Sequence, residues 1–261
     1  MISQRPIPGY PPGHDLLAGK VVVVTAAAGT GIGSAVAKRC LEEGAEVVVS
    51  DWHERRLAEK AAELAETGKV HALPCDVTRE EQVQALIDGA VEQFGRIDVL
   101  INNAGLGGTA SVLDMTDDEW SRVLDITLTG TFRCTRAALR QFVAQGGGGA
   151  IVNNASVVGW RAQAGQAHYA AAKAGVMALT RCSALDAADH HVRVNAVAPS
   201  LAMHPFLAKV TSEQLLHELE QREAFGRAAQ PWEVANVMVF LASDYASYLT
   251  GEVVSVSSQH P

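Results

Sequence analysis

The stretch that decides the fold is KVVVVTAAAGTGIGSAVAKRC, residues 20–40. Four consecutive valines read as a strand buried on both faces, and IGSAVAKRC carries helical periodicity. Between them a small-residue turn contains Gly29, Gly31 and Gly33, with Thr30 and Ile32 interleaved. A turn that leads from a strand straight into a helix can bring backbone N–H groups and the positive end of the helix up to a phosphate. The same turn could instead be tight packing with no ligand.

Outward from this unit the chain repeats its rhythm. Strand candidates fall at 20–25, 45–50, 69–74, 97–102, 150–155, 192–197 and 252–257, with helical segments at 32–43, 54–66, 79–93, 117–144, 166–189 and 231–243. Seven short β-branched runs alternating with helices predict an α/β fold: one doubly wound, Rossmann-type parallel sheet of seven strands with helices on both faces. Its 261 residues, 48% of them hydrophobic, suffice for one large domain. We assign 17–261 to that domain and 1–16, with its prolines and glycines, to an extended arm. GGGG (146–149) is a loop into the fifth strand, and about 200–226 reads as a substrate lid.

The net charge of −8 is spread along the chain, which argues against nucleic acid and anionic membranes as partners. No apolar run is long enough to span a bilayer, and the N-terminus lacks the apolar core of a signal peptide. Cys40, Cys75, Cys134 and Cys182 have no CxxC spacing. Neither a zinc site nor a disulfide framework is expected, and a cytoplasmic protein with reduced thiols is.

Asp51 closes the second strand, in VVVSDWHERR, eighteen residues past Gly33. A carboxylate there can accept from ribose hydroxyls and would repel a 2′-phosphate, which favours NAD over NADP. Thr30 offers such a phosphate no positive charge. Arg55 and Arg56 could, although a solvated helix face is the plainer reading. In HYAAAKAGVMAL (168–179), Tyr169 and Lys173 are four residues apart and share one face of a helix. A free tyrosine titrates near pH 10 (about the reference value), and an adjacent ammonium is expected to lower that. Ser156, at the end of the fifth strand, can donate to an oxygen on which charge develops.

Together these motifs resemble the short-chain dehydrogenases/reductases, in their 3-oxoacyl-reductase-like branch. The resemblance runs from about Leu17 to Val256. It rests on the turn at 27–33, CDV at 75–77, NNAG at 102–105, Ser156 thirteen residues before Tyr169, YAAAK at 169–173, RVNAVAP at 193–199 and TGEVVSV at 250–256. It implies catalysis by Ser156, Tyr169 and Lys173, with Tyr169 exchanging the hydroxyl proton and Lys173 also holding the nicotinamide ribose. It implies dinucleotide contacts at Gly29, Thr30, Gly31, Ile32, Gly33, Asp51, Asp76, Val77, Asn103, Tyr169, Lys173 and Ala202. Asp76 and Val77 would flank the adenine, Asn103 would close over the adenosine ribose, and Ala202 would meet the carboxamide. Each could instead cap or pack a strand end. A homotetramer or dimer, joined through the long helices and the last strand, is also implied.

Three departures stand out. The family usually has glycine, preceded by threonine, where Ala27 stands; alanine suffices unless φ must be positive. Its helix-4 asparagine, which helps hold a proton-relaying water, is replaced by Thr127; threonine keeps a hydroxyl donor and acceptor, so Thr127 is counted with the catalytic residues, the relay either rebuilt around a water or weakened. Ser200, His204 and SVSSQHP replace the usual residues near the carboxamide and lid. Trp160, Arg161, His168, Met203, His204, Pro205, Phe206 and Leu207 are expected around the substrate mouth. They suit a hydrophobic alcohol or ketone, fused-ring and steroid-like or acyl-thioester, with Arg161 near a carboxylate or the phosphates of a carrier. His204 could be a further acid/base or a plain lid residue. The alternatives are a 3-oxoacyl-thioester reductase using NADPH, which Asp51 opposes, and a catalytically weak nucleotide-sensing regulator, which Thr127 alone supports.

Overall fold

The computed structural model describes residues 5–203 and 213–258. Seven parallel strands, β1 (Val21–Val24), β2 (Glu46–Asp51), β3 (Val70–Pro74), β4 (Val99–Asn102), β5 (Gly149–Asn154), β6 (Val192–Pro199) and β7 (Val253–Val256), form one sheet in the order β3-β2-β1-β4-β5-β6-β7. The expected architecture is therefore present, with strand bounds shifted by two residues at most. Strand order reverses between β1 and β4. In open sheets of this kind the crevice at that point, above the carboxyl ends of the strands, is where ligands bind.

The valine run of β1 shows why the sheet is covered on both sides. Val22 and Val24 enter a core beneath α1 (Ile32–Glu42) and the helix Pro231–Ala242, while Val21 and Val23 point into a second core. That second core also takes Leu86 and Ile87 of α3 (Glu80–Phe94) and Phe142. Alternation along a strand thus feeds two apolar layers at once, and both are closed by helices.

Local signals set the helix ends. The helix α2 (Glu54–Leu64) starts after His53, whose ring accepts from the Arg56 N–H. Gly95, at φ 80°, stops α3 in the left-handed conformation that glycine adopts freely. A reciprocal capping box between Thr116 and Glu119 opens α4 (Asp117–Leu124).

The segment 117–144, read as one helix, is three elements end to end. Helix α4 passes into a π-helical turn, Asp125–Thr129, and continues as α5 (Gly130–Gln145). Helix α6 (Ala167–Ala187) follows β5, and β6 is followed by residues outside those described, then α7 (Glu213–Arg222) and α8 (Pro231–Ala242). Residues 204–212 of the expected lid, including His204, Pro205, Phe206 and Leu207, lie outside the described residues.

Candidate active site

The carboxyl ends of β1, β4, β5 and β6 surround a cleft of about 380 Å³. Gly31, Ile32 and Gly33 form its floor on the glycine-rich side, with Asn103 beside them. Ser156, Tyr169 and Lys173 line the other end, and Ala202 lies on the wall after β6. The structure thus brings together eight of the expected catalytic and dinucleotide-contact residues, with Ser200 beside them. Gly29, Thr30, Asp51, Asp76, Val77 and Thr127 are not part of this lining.

The turn is built for close approach. A Cβ on Gly33 would lie 2.3 Å from the Ala26 carbonyl oxygen and 2.4 Å from Asn103 Nδ2, so only glycine fits. By contrast, the nearest atom to a Cβ on Gly29 is the Gly31 nitrogen at 3.9 Å. No side chain caps the N-terminus of α1 at Gly31, which leaves its first N–H groups available to a diphosphate. The departure expected at Ala27 falls one residue earlier: Ala26 has φ 52°, whereas Ala27 is buried in the core. A left-handed alanine costs about 1–2 kcal/mol, and here it turns the Ala26 carbonyl toward Asn103 Nδ2, 3.1 Å away.

Asp51 ends β2 with only 8% of its surface exposed. Its carboxylate accepts from the Ala28 N–H (3.3 Å) and the His53 N–H (3.0 Å), which aims it across the turn. Arg55 pairs with Glu59 on the exposed face of α2, as its solvated reading required. Asp76 Oδ1 accepts from the backbone and hydroxyl of Thr78, and Val77 is buried against the position of Gly130, so both have structural partners of their own.

At the other end of the cleft Tyr169 and Lys173 do face one another: the Lys173 ammonium lies 5.5 Å from the phenol ring centre. The expected acidification of the phenol is not what the surroundings produce. Burial pushes the Tyr169 pKa above 10, and the opposing influence is a hydrogen bond with Ser156, not the lysine. Lys173 is itself buried, which lowers it to about 8, and its ammonium donates to the Asn154 carbonyl. Low dielectric acts against both charged forms at once.

Thr127 stands inside the π-helical turn, fully buried. Its hydroxyl accepts from the Leu106 N–H (3.0 Å) and donates to the Leu106 carbonyl (3.2 Å). It clamps the loop that follows NNAG. His168 departs from expectation: it is 2% exposed and tucked against Gly108, where a Cβ would come within 2.9 Å of its Nε2. Trp160, 46% exposed, does stand at the surface. Asn154 was missed from sequence although it lines the cleft. Its only advance signal was a second amide in AIVNNA, where a buried strand offers apolar residues.

A glycine-rich turn at a helix N-terminus, with a Ser–Tyr–Lys group across the same cleft, defines a dinucleotide-dependent oxidoreductase site. The model of the enoyl-(acyl carrier protein) reductase family matches residues 26–258, and the chain belongs to the short-chain dehydrogenase/reductase family. It is an enzyme of the class that acts on CH–OH groups with a nicotinamide cofactor.

Among curated relatives, the (5R,7aS)-5-hydroxy-7a-methyl-1-oxo-2,3,5,6,7,7a-hexahydro-1H-indene-carboxyl-CoA reductase of Mycobacterium tuberculosis is 67% identical, covering 95% of this chain and 96% of its own. A 3-oxoacyl-[acyl-carrier-protein] reductase of Thermotoga maritima is 38% identical over 92% of this chain and 97% of its own. A crystal structure of a short chain dehydrogenase from Mycobacterium smegmatis, 60% identical, superposes with a TM-score of 0.87 and covers 97% of this chain and 98% of that one.

Proposed function

We propose that the protein is an NAD(H)-dependent oxidoreductase that interconverts a secondary alcohol and a ketone on a fused-ring substrate carried as a CoA thioester. The observation that carries this reading is the 67% identity, over nearly the whole of both chains, to a reductase whose name specifies a bicyclic carboxyl-CoA. A partly open cleft ending at Tyr169, with Trp160 at the surface near it in sequence, suits an apolar ring system.

The residues present fit a dinucleotide. Gly31, Ile32 and Gly33 with the α1 N-terminus would hold the diphosphate, Asp51 the adenosine ribose hydroxyls, and Lys173 the nicotinamide ribose. When bound, the nicotinamide supplies or takes up the hydride. Ser156 donates a hydrogen bond to the substrate oxygen and orients it, and Tyr169 gives a proton to that oxygen in reduction or removes it in oxidation. Ala155 and Pro199 close the cleft wall around this point and reduce access of water. Asp51 favours NAD, because its carboxylate would repel a 2′-phosphate.

A 3-oxoacyl-thioester reductase using NADPH is the second reading, favoured by the 38% relative and opposed by Asp51. Our reading also includes a cytoplasmic homo-oligomer, tetramer or dimer, in which exposed apolar groups such as Leu185 (81% exposed) on α6 would be covered.

The test is turnover of a hydroxy-hexahydroindanone carboxyl-CoA, and of a short 3-oxoacyl-CoA, with NAD(H) and NADP(H) in parallel. Faster turnover of the bicyclic thioester with NAD(H) is expected. Tyr169→Phe should lower kcat by roughly 10²–10⁴-fold, far more than it weakens dinucleotide binding. Strong preference for NADPH, or near-normal turnover by Tyr169→Phe, overturns the proposal.

A further inference from the structure

Four strand ends meet above the cleft, and one line of hydrogen bonds crosses three of them. Asn103, just past β4, donates through Nδ2 to the carbonyls of Thr25 (3.3 Å) and Ala26 (3.1 Å), the start of the glycine-rich turn. Carbonyls only accept, so this contact settles which way round the Asn103 amide lies. Its Oδ1 then faces Asn154 at the end of β5, whose Nδ2 donates to it at 3.0 Å. The backbone carbonyl of the same Asn154 accepts from the Lys173 ammonium on α6. The line therefore runs from the turn, through two side-chain amides, to the lysine.

Neighbouring groups stiffen it from both ends. Thr25 Oγ1 accepts from the N–H groups of Asn103 (3.0 Å) and Ala104 (3.1 Å), so turn and β4 end are joined twice more. Gly33 packs so closely on Ala26 and Asn103 that neither can shift toward it. Asn154 itself is held at a cost in polarity: its Oδ1 is buried and accepts nothing among the described residues. Packing alone would be better served by an apolar side chain of similar size, which leaves no bare acceptor. The donor that Asn154 offers to Asn103 is the feature such a residue could not supply.

We infer that Asn154 is a positioning residue that locks the Lys173 end of the cleft to the dinucleotide turn, through its Nδ2 contact with Asn103 and its carbonyl contact with Lys173. The inference rests on the reading above of a dinucleotide in this cleft. Without the Asn154 amide the ends of β4 and β5 remain hydrogen-bonded within the sheet, but the spacing between turn and lysine is no longer set by side chains. A ligand gripped at both places then binds less tightly and sits less well for reaction.

Asn154→Leu keeps the bulk and removes the donor. On the full chain, the dinucleotide Kd is read by isothermal titration calorimetry without substrate, kcat and KM by turnover, and folding by thermal unfolding. We expect Kd and the KM for dinucleotide to rise several-fold and kcat to fall about tenfold, the scale of one lost hydrogen bond at a reacting site, with the folded fraction unchanged. Asn103→Ala combined with Asn154→Leu should be no worse than Asn103→Ala alone, because both break the same line. Asn154→Ser, which keeps a shorter hydroxyl donor, enters the same cycle if the leucine variant does not fold.

Unchanged Kd and KM with a lower thermal midpoint assigns Asn154 to packing and overturns the inference. So do losses that multiply in the double variant. If the unaltered protein binds no dinucleotide, it is the functional reading that fails; if it binds and Asn154→Leu binds equally well, only this inference does.

Discussion

Lys173 shows at the scale of one residue how far burial can outweigh attraction. Its side chain is 3% exposed, its contact is the neutral Asn154 carbonyl, and its pKa falls from 10.5 to about 8. Below about pH 8 the ammonium is charged in both folded and unfolded chains, so the folded state carries the whole penalty of burying it. Between about 8 and 10.5 the folded chain releases a proton that the unfolded chain keeps, and stability rises with pH across that window. Lys173→Met removes the penalty along with the ammonium. At pH 7 the variant should be more stable than the parent by about 1–3.5 kcal/mol, the upper bound being the pKa displacement at about 1.4 kcal/mol per unit and the lower allowing for the lost carbonyl contact. The gain should shrink as pH approaches 10. Urea unfolding of both proteins at pH 7 and pH 9.5 reads this directly, and a variant less stable at pH 7 would mean that the carbonyl contact outweighs burial.

The π-helical turn between α4 and α5 places Thr127 at the Leu106 backbone, an arrangement of whole elements that no single residue announces. Thr131 Oγ1 donates to the Thr127 carbonyl at 2.8 Å, which satisfies an acceptor in the widened turn. A Cβ on Gly130 would lie 2.6 Å from Val77 Cγ2, so the helix passes that side chain only with glycine there. Thr127→Val keeps the shape and removes the hydroxyl, leaving the Leu106 N–H and carbonyl without that partner. We expect a loss of about 1–3 kcal/mol in unfolding free energy and a lower kcat as the loop after NNAG loosens. Unchanged unfolding would show that this clamp contributes nothing. Hydrophobic periodicity located every strand and helix near the sheet, because valine runs and helical stripes report burial, which the fold then realises. It could not reveal the π turn, since one extra residue per turn barely disturbs an apolar stripe. The glycine-rich turn and the Tyr–Lys pair were legible because their spacing is local. Asn154 was not, since its partner Asn103 is 51 residues away and becomes its neighbour only through the β4–β5 register that pairs Asn102 with Asn153. The phenol–lysine field was misjudged for a related reason: the i,i+4 spacing was correct, but burial depends on the whole sheet edge.

Across the whole molecule, the region read from sequence as an N-terminal arm is tied to the side of the sheet that carries α1 and α8. Tyr10 donates to Glu42 Oε2 at 2.6 Å and sets its ring edge-on to Trp232 of α8, 5.4 Å between centres. Glu43, fully buried, accepts from the N–H groups of His14 (2.7 Å) and Leu16 (3.1 Å) and pairs with Arg39, whose guanidinium also donates to the Pro11 carbonyl. Nearer the N-terminus, the Arg5 N–H donates to the Phe225 carbonyl just after α7, so the arm spans from α1 to the segment that follows α7. One buried ion pair therefore anchors a strap over two helices. Removing half of such a pair is far worse than replacing all of it, because the surviving charge stays buried. Glu43→Ala should lower the unfolding free energy by about 3–5 kcal/mol and expose bonds near His14 and Leu16 to limited proteolysis, whereas Arg39→Met combined with Glu43→Leu should recover much of the loss. Urea unfolding of the three chains, with mapping of the first cleavage site, checks both parts. An arm that stays protected in Glu43→Ala would mean that Tyr10 and Trp232 hold it without the carboxylate.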